Sequence, residues 1–149
     1  MKEKNTDHSI VAAENLKDSV FFENVSQSYL DEIASSAIIM KAEKDDVIYT
    51  AGEENSAGIF LLLSGLVKLF RKGENTTLDS TEDIVEGETF NSLSLFYEKK
   101  RGETATASAY SRLLFIPKQT LLDLCDTQLE FNKILHDKTT LQFNRNKLR

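Results

Sequence analysis

Cysteine and proline each occur once in this chain of 149 residues, there are two histidines, and no apolar run is long. Each scarcity closes off a class of chemistry. The single Cys125 can build neither a disulfide framework nor a pair of metal thiolates, and its setting in LLDLC reads as core packing. His8 and His136 lie towards opposite ends with no carboxylate or cysteine at ligand or triad spacing, so no metal centre and no catalytic triad is expected. The nucleophile elbow G-x-S-x-G and the phosphate loop G-x-x-x-x-G-K are both missing, which leaves no support for an enzyme. No segment approaches the roughly 18 apolar residues of a membrane span. The N-terminal MKEKNTDHSI has no signal-peptide core, so the sequons at Asn24 and Asn75 carry little meaning and a reducing, cytoplasmic setting is expected. Basic charge is also short, with 18 Lys and Arg against 24 Asp and Glu. The resulting net charge of −6, with no Lys/Arg stripe, repels a nucleic-acid backbone.

What is present fits one globular domain. With 40% hydrophobic and 28% charged residues, a chain of this length buries about 68–70% of its unfolded surface. Residues 1–15 read as a polar tail and the start of a helix, and 16–149 as the domain proper. Ile10, Ala13 and Leu16 at helical spacing, the Val20-Phe21-Phe22 cluster, and Tyr29, Leu30, Ile33 and Ala34 after a capping Ser26 make 10–37 helical. The phenylalanine pair is core filling.

From Ile38 the period changes to alternation. Short β-type runs are expected at 38–40, 47–50, 59–63, 67–70, 78–85, 104–109 and 113–116, divided by turns such as Ser64-Gly65 and Glu86-Gly87. The carboxylate pairs Asp45-Asp46 and Glu53-Glu54 fall in these turns as solvated charge. Pro117 ends the last strand, and 118–125 and 129–148 read as two helices. Seven or eight short strands with helices only at the ends make a mainly β protein, a sandwich or jelly roll with a pocket between its sheets.

One stretch, GETFNSLSLFYEKKRGETATA from Gly87 to Ala107, has the outline of a loop and one-turn helix folded over such a pocket. Asn91 or Ser92 can cap the turn, and the free N–H groups of a helix start can hold an anion. Together with FFENVSQSYLDEIA, DDVIYTAGEENSAGIFLLLSGLVKLFR and ETATASAYSRLLFIPKQTLLDL, this stretch resembles the cyclic-nucleotide-binding domain of the catabolite-activator and protein-kinase-A type. The glycine framework of Gly52, Gly58, Gly65 and Gly87 is the most specific part of the likeness. The resemblance implies a β-roll with flanking helices and places a phosphate-binding cassette at 87–105.

In that family the cassette resembles F-G-E-L-A-L followed by R-T-A or R-S-A. Its glutamate accepts the ribose hydroxyl and its arginine pairs with the phosphate. Phe90, Leu93, Thr104 and Ala105 match here, but Asn91 replaces the glycine, Ser92 the glutamate and Glu103 the arginine. A carboxylate about 5 Å from a phosphate repels it by roughly 3 kcal/mol at an effective dielectric near 20. Conventional binding of a cyclic nucleotide as cofactor is therefore disfavoured. The candidate pocket comprises Gly87, Phe90, Asn91, Ser92, Leu93, Arg101, Glu103, Thr104 and Ala105, with Arg101 able to swing over it on a bulge at Gly102. The expected role is a stand-alone regulatory module acting through protein contacts; the alternative is a true small-molecule or cyclic-nucleotide sensor with an atypical pocket, in which Glu103 could serve as counter-charge to a neutral or basic ligand. The family's bacterial transcription factors carry a helix-turn-helix after the dimer helix. The present sequence ends near that helix, so DNA is not an expected partner, whereas a homodimer through Phe131, Ile134, Leu135, Leu141 and Leu148 is.

Overall fold

The apolar run Gly58-Ile59-Phe60-Leu61-Leu62 has no polar alternation because the strand it forms is covered on both faces. The computed structural model describes residues 6–7, 13–17, 19–53, 58–73, 78–91 and 102–148. In chain order these form β1 (Thr6–Asp7), α1 (Glu14–Lys17), α2 (Gln27–Ser36), β2 (Ile38–Ala42), β3 (Val47–Tyr49), β4 (Gly58–Ser64) and β5 (Val67–Arg71). There follow β6 (Ser80–Ile84), β7 (Thr89–Phe90), β8 (Thr104–Ala107), β9 (Ser111–Pro117), α3 (Lys118–Thr127) and α4 (Leu129–Leu148). One sheet runs β1-β2-β9-β4-β7 and the other β3-β8-β5-β6, and every pairing is antiparallel. This is the expected β-roll with flanking helices.

The first sheet is the middle layer. Ile59 and Leu61 of β4 and Leu114 and Ile116 of β9 face the helices, where they pack with Leu16, Phe22, Leu30, Ile33, Leu121 and Phe131. Their neighbours Phe60, Leu62 and Leu113 point the other way, into the roll, and meet Tyr49, Val67, Leu69, Ile84, Ala105 and Ala107 of the second sheet. Fully burying such an aliphatic or aromatic side chain contributes about 1.5–3 kcal/mol. The second sheet has one face in solvent, so its strands alternate: Val67 and Leu69 are buried, Lys68 and Phe70 exposed. The helices are joined by the Tyr29–Phe131 ring contact, at 5.1 Å between centroids, and by a 2.7 Å hydrogen bond between the hydroxyls of Ser36 and Thr120.

Several local expectations change. The stretch 10–37 is not helical throughout: after α1 the chain turns through 19–25, where the buried Ser19 hydroxyl accepts the N–H of Phe21, before the expected second helix, α2, begins. Residues 10–12 lie outside the described residues. Ser26 occupies the N-cap position, but its side chain makes no cap bond and instead meets the Ser28 hydroxyl at 3.3 Å. Two short strands were not expected, β1 within the polar N-terminus and β7 at Thr89–Phe90. The turn carboxylates do more than meet solvent, for Asp46 accepts the N–H of Glu43 at 2.9 Å and Glu53 that of Thr50, each closing its own turn. Cys125 is buried as expected; burial pushes its thiol pKa up, and the charge of Asp126 pushes it the same way.

Candidate functional site

Cross-strand register sets an aromatic row on the inward face of the first sheet. Phe60 of β4 lies opposite Phe115 of β9 on one side and Phe90 of β7 on the other. Ring centroids are 4.9 Å apart for Phe60–Phe115 and 5.1 Å for Phe60–Phe90, the latter nearly parallel at 13°. From the opposite sheet, Tyr49 brings its ring to 5.8 Å from Phe60 and 6.2 Å from Phe90. The apolar body of the tyrosine thus closes the aromatic group, which leaves its hydroxyl to meet something polar.

That polar group is Glu103. The Tyr49 hydroxyl donates to Glu103 Oε2 at 2.6 Å, and Arg71 Nη2 donates to Glu103 Oε1 at 2.8 Å. The other terminal nitrogen of Arg71 stands 3.4 Å from Glu82 Oε1. Strand parity places all three charges inward. On β5, Arg71 follows Val67 and Leu69 at steps of two; Glu82 lies directly opposite Leu69; and because Phe70 pairs with Thr104, Glu103 falls opposite Arg71. The side chains of Glu82 and Glu103 are only 8% and 18% exposed, against 38% for Arg71, so the pair is better shielded from solvent than an ordinary surface bridge. Formally, one guanidinium faces two carboxylates, so the three groups carry a net negative charge.

The expected site residues have separate fates. Phe90 and Ala105 are buried in the roll, next to the group that holds Glu103. Thr104 turns to the neighbouring loop, where its hydroxyl accepts the N–H of Ala51 at 2.9 Å. Gly87 has φ +89° and donates its N–H to Leu62 O at 2.9 Å, shaping the turn before β7. Asn91 adopts φ +69° and donates from Nδ2 to Gly58 O at 3.1 Å, so a side-chain bond holds a left-handed backbone. Ser92, Leu93 and Arg101 lie outside the described residues. Arg71 and Tyr49 occupy both oxygens of the Glu103 carboxylate. Neither residue was singled out from the sequence, although an arginine at the inward parity of VKLFR was the signal available. Among the described residues no group of three His, Cys, Asp or Glu side chains is placed to hold a metal.

The sequence profile of the cyclic nucleotide-binding domain matches residues 39–128. The chain belongs to the cyclic nucleotide-binding domain family. Solved structures carry the same fold. A putative cyclic nucleotide-binding protein from Geobacter metallireducens superposes with a TM-score of 0.75 at 22% identity, covering 88% of this chain and 94% of that one. The sensor domain of the transcriptional regulator DNR from Pseudomonas aeruginosa gives 0.71 at 21% identity, with 89% of each chain covered. The catabolite activator protein of Thermus thermophilus gives 0.70 at 22%, covering 86% of this chain and 60% of its own. At these identities the likeness establishes the fold. No curated protein sequence is matched by this one. The cyclic nucleotide-binding domain here is a regulatory fold, and no helix among the described residues is long and apolar enough to cross a membrane.

Proposed function

We propose that this chain is a regulatory module whose β-roll does not bind cAMP or cGMP in the conventional way of its family and which acts through protein contacts. The observation that carries the reading is Glu103, which stands where the family pattern has its phosphate-binding arginine and is held by Arg71 and Tyr49. The inward-facing cation of the second sheet is therefore already engaged by two carboxylates. A cyclic phosphate reaching this end of the roll would have to separate an ion pair rather than meet a waiting guanidinium. Thermal denaturation with 1 mM cAMP or cGMP tests the reading, and the expected result is an unchanged melting temperature. A ligand at 100 times its dissociation constant stabilises by about 2.7 kcal/mol, so a rise of about 5 °C or more with either nucleotide overturns the proposal.

Self-association through α4 accompanies this reading. Phe131 and Leu135 are spent on the chain's own core, so two of the five apolar positions expected to form a dimer face are unavailable to a second copy. Ile134 is half-buried, and the side chains of Leu141 and Leu148 lie outside those described. The proposed contact is thus left to Ile134, Leu141 and Leu148. Sedimentation equilibrium at tens of micromolar is expected to give twice the chain mass; a monomer at that concentration removes the homodimer from the proposal.

A further inference from the structure

Two donors of different chemistry, from two strands of the second sheet, converge on the two oxygens of one carboxylate. Arg71 Nη2 stands 2.8 Å from Glu103 Oε1 and the Tyr49 hydroxyl 2.6 Å from Glu103 Oε2. Both donors are fixed by other contacts. Tyr49 is 3% exposed, with its ring against Phe60 and Phe90, and Arg71 has its second terminal nitrogen near Glu82. Such an arrangement would stay in place if the carboxylate left. The edge of a phosphate offers the same pair of adjacent oxygens as a carboxylate, and a guanidinium with a hydroxyl makes charge-assisted bonds to either.

Glu103 is placed so that it can be withdrawn without undoing the sheet. The β8 ladder with β3 and β5 involves Thr104 to Ala107, and Glu103 lies one residue outside it. We infer that Arg71 and Tyr49 form an oxyanion site on the inner face of the roll which the chain fills with its own Glu103 carboxylate, so that an external oxyanion of the phosphate class binds only when Glu103 is withdrawn. The inference rests on the proposed reading that the inward-facing cation of the roll is already engaged, and adds what occupies it and what could replace the occupant. A tethered carboxylate competes at a high effective concentration, which keeps dilute external anions out. Glu82 keeps hold of Arg71 throughout, so inorganic phosphate alone is expected to bind the emptied site at millimolar concentration.

The test uses the full chain with Glu103→Ala, and with the short Glu103→Ser in case the alanine variant fails to fold. Thermal denaturation is followed in inorganic phosphate up to about 20 mM and separately in cyclic AMP, against chloride of matched ionic strength. The emptied variant is expected to gain about 3 °C with at least one of the two, the stronger response naming free or nucleoside-borne phosphate as the better fit. Wild type is expected to gain less than about 1 °C, and Arg71→Met added to Glu103→Ala should abolish the response, which separates site binding from the general effect of phosphate on stability. A well-folded Glu103 variant silent to both anions overturns the inference, as does a response that survives loss of Arg71. If the Glu103 variants and wild type are all silent, the inference fails while the proposed function stands; if wild type itself responds to cyclic AMP, the proposed function fails as well.

Discussion

Gly65→Ala is expected to destabilise the protein by about 3–5 kcal/mol. Gly65 has φ +104°, a conformation that costs an L-residue about 1–3 kcal/mol. A Cβ there would strike Ser111 Oγ and would lie 2.5 Å from Tyr110 O and 2.7 Å from Ser111 Cα. Two of those three atoms are backbone, and the third cannot swing aside cheaply. Ser111 is fully buried, and its hydroxyl accepts the N–H of Leu66 at 3.2 Å while donating to Ala109 O at 2.8 Å. Forcing a methyl group in costs typically about a further 1–3 kcal/mol, and more if the Leu66 bond is broken. Urea denaturation should show the midpoint falling with the slope unchanged. Gly52→Ala is the control: φ is +88° there too, but among the described residues, its chain neighbours aside, no atom lies within 4 Å of the added carbon, so only the backbone strain is expected. Equal losses at the two positions would show that close approach at Gly65 plays no part.

A one-dimensional pattern carries burial, whereas pairing across strands needs register. The strands were legible because burial leaves a period: two-sided burial gives the unbroken Ile59-Phe60-Leu61-Leu62, and one-sided burial gives the alternation of Val67-Lys68-Leu69-Phe70. The glycine framework was legible for the same kind of reason, though for two different causes. Gly52, Gly65 and Gly87 have positive φ, whereas a side chain at Gly58 would strike Ile116 O and come to 2.6 Å from the Phe115 ring. The short strands β1 and β7 were missed because two residues show no period, and the helical reading of 10–37, with its second helix from Ser26, ran through the turn at 19–25 because Phe21 and Phe22 pack equally well from a turn. The candidate site was half legible. Phe90, Glu103 and Ala105 do come together, but the partners of Glu103 sit 32 and 54 residues away in sequence. A cation at position 71 acquires meaning only when Phe70 is known to pair with Thr104.

The Arg71–Glu103 pair itself should declare its coupling in a charge swap. Arg71→Glu would gather a third carboxylate beside Glu82 and Glu103, and two unit charges about 4 Å apart repel by roughly 4 kcal/mol at an effective dielectric of 20. Because Arg71 is 38% exposed, solvent screens part of this, and a loss of about 2–3 kcal/mol is expected. Glu103→Arg sets two guanidiniums opposite each other and takes from the buried Tyr49 hydroxyl its acceptor at 2.6 Å, for a loss of similar size. Taken independently, the two changes would sum to about 4–6 kcal/mol. In the double variant the opposed charges are restored with their positions exchanged, and the expected loss is about 2–3 kcal/mol, a coupling of roughly 2 kcal/mol in the double-mutant cycle. Recovery is incomplete because Glu82 then faces the carboxylate introduced at position 71 instead of a cation, and because Tyr49 meets a guanidinium that cannot accept its proton. Repeating the cycle in about 1 M salt, where the Debye length is about 3 Å, should shrink the coupling without abolishing it, since the native carboxylates are largely shielded. Strict additivity in low salt would mean that Glu103 is not electrically balanced by Arg71. In that case the carboxylate would face any incoming phosphate unopposed, and exclusion of cyclic nucleotides would rest on plain repulsion instead of on a cation already engaged.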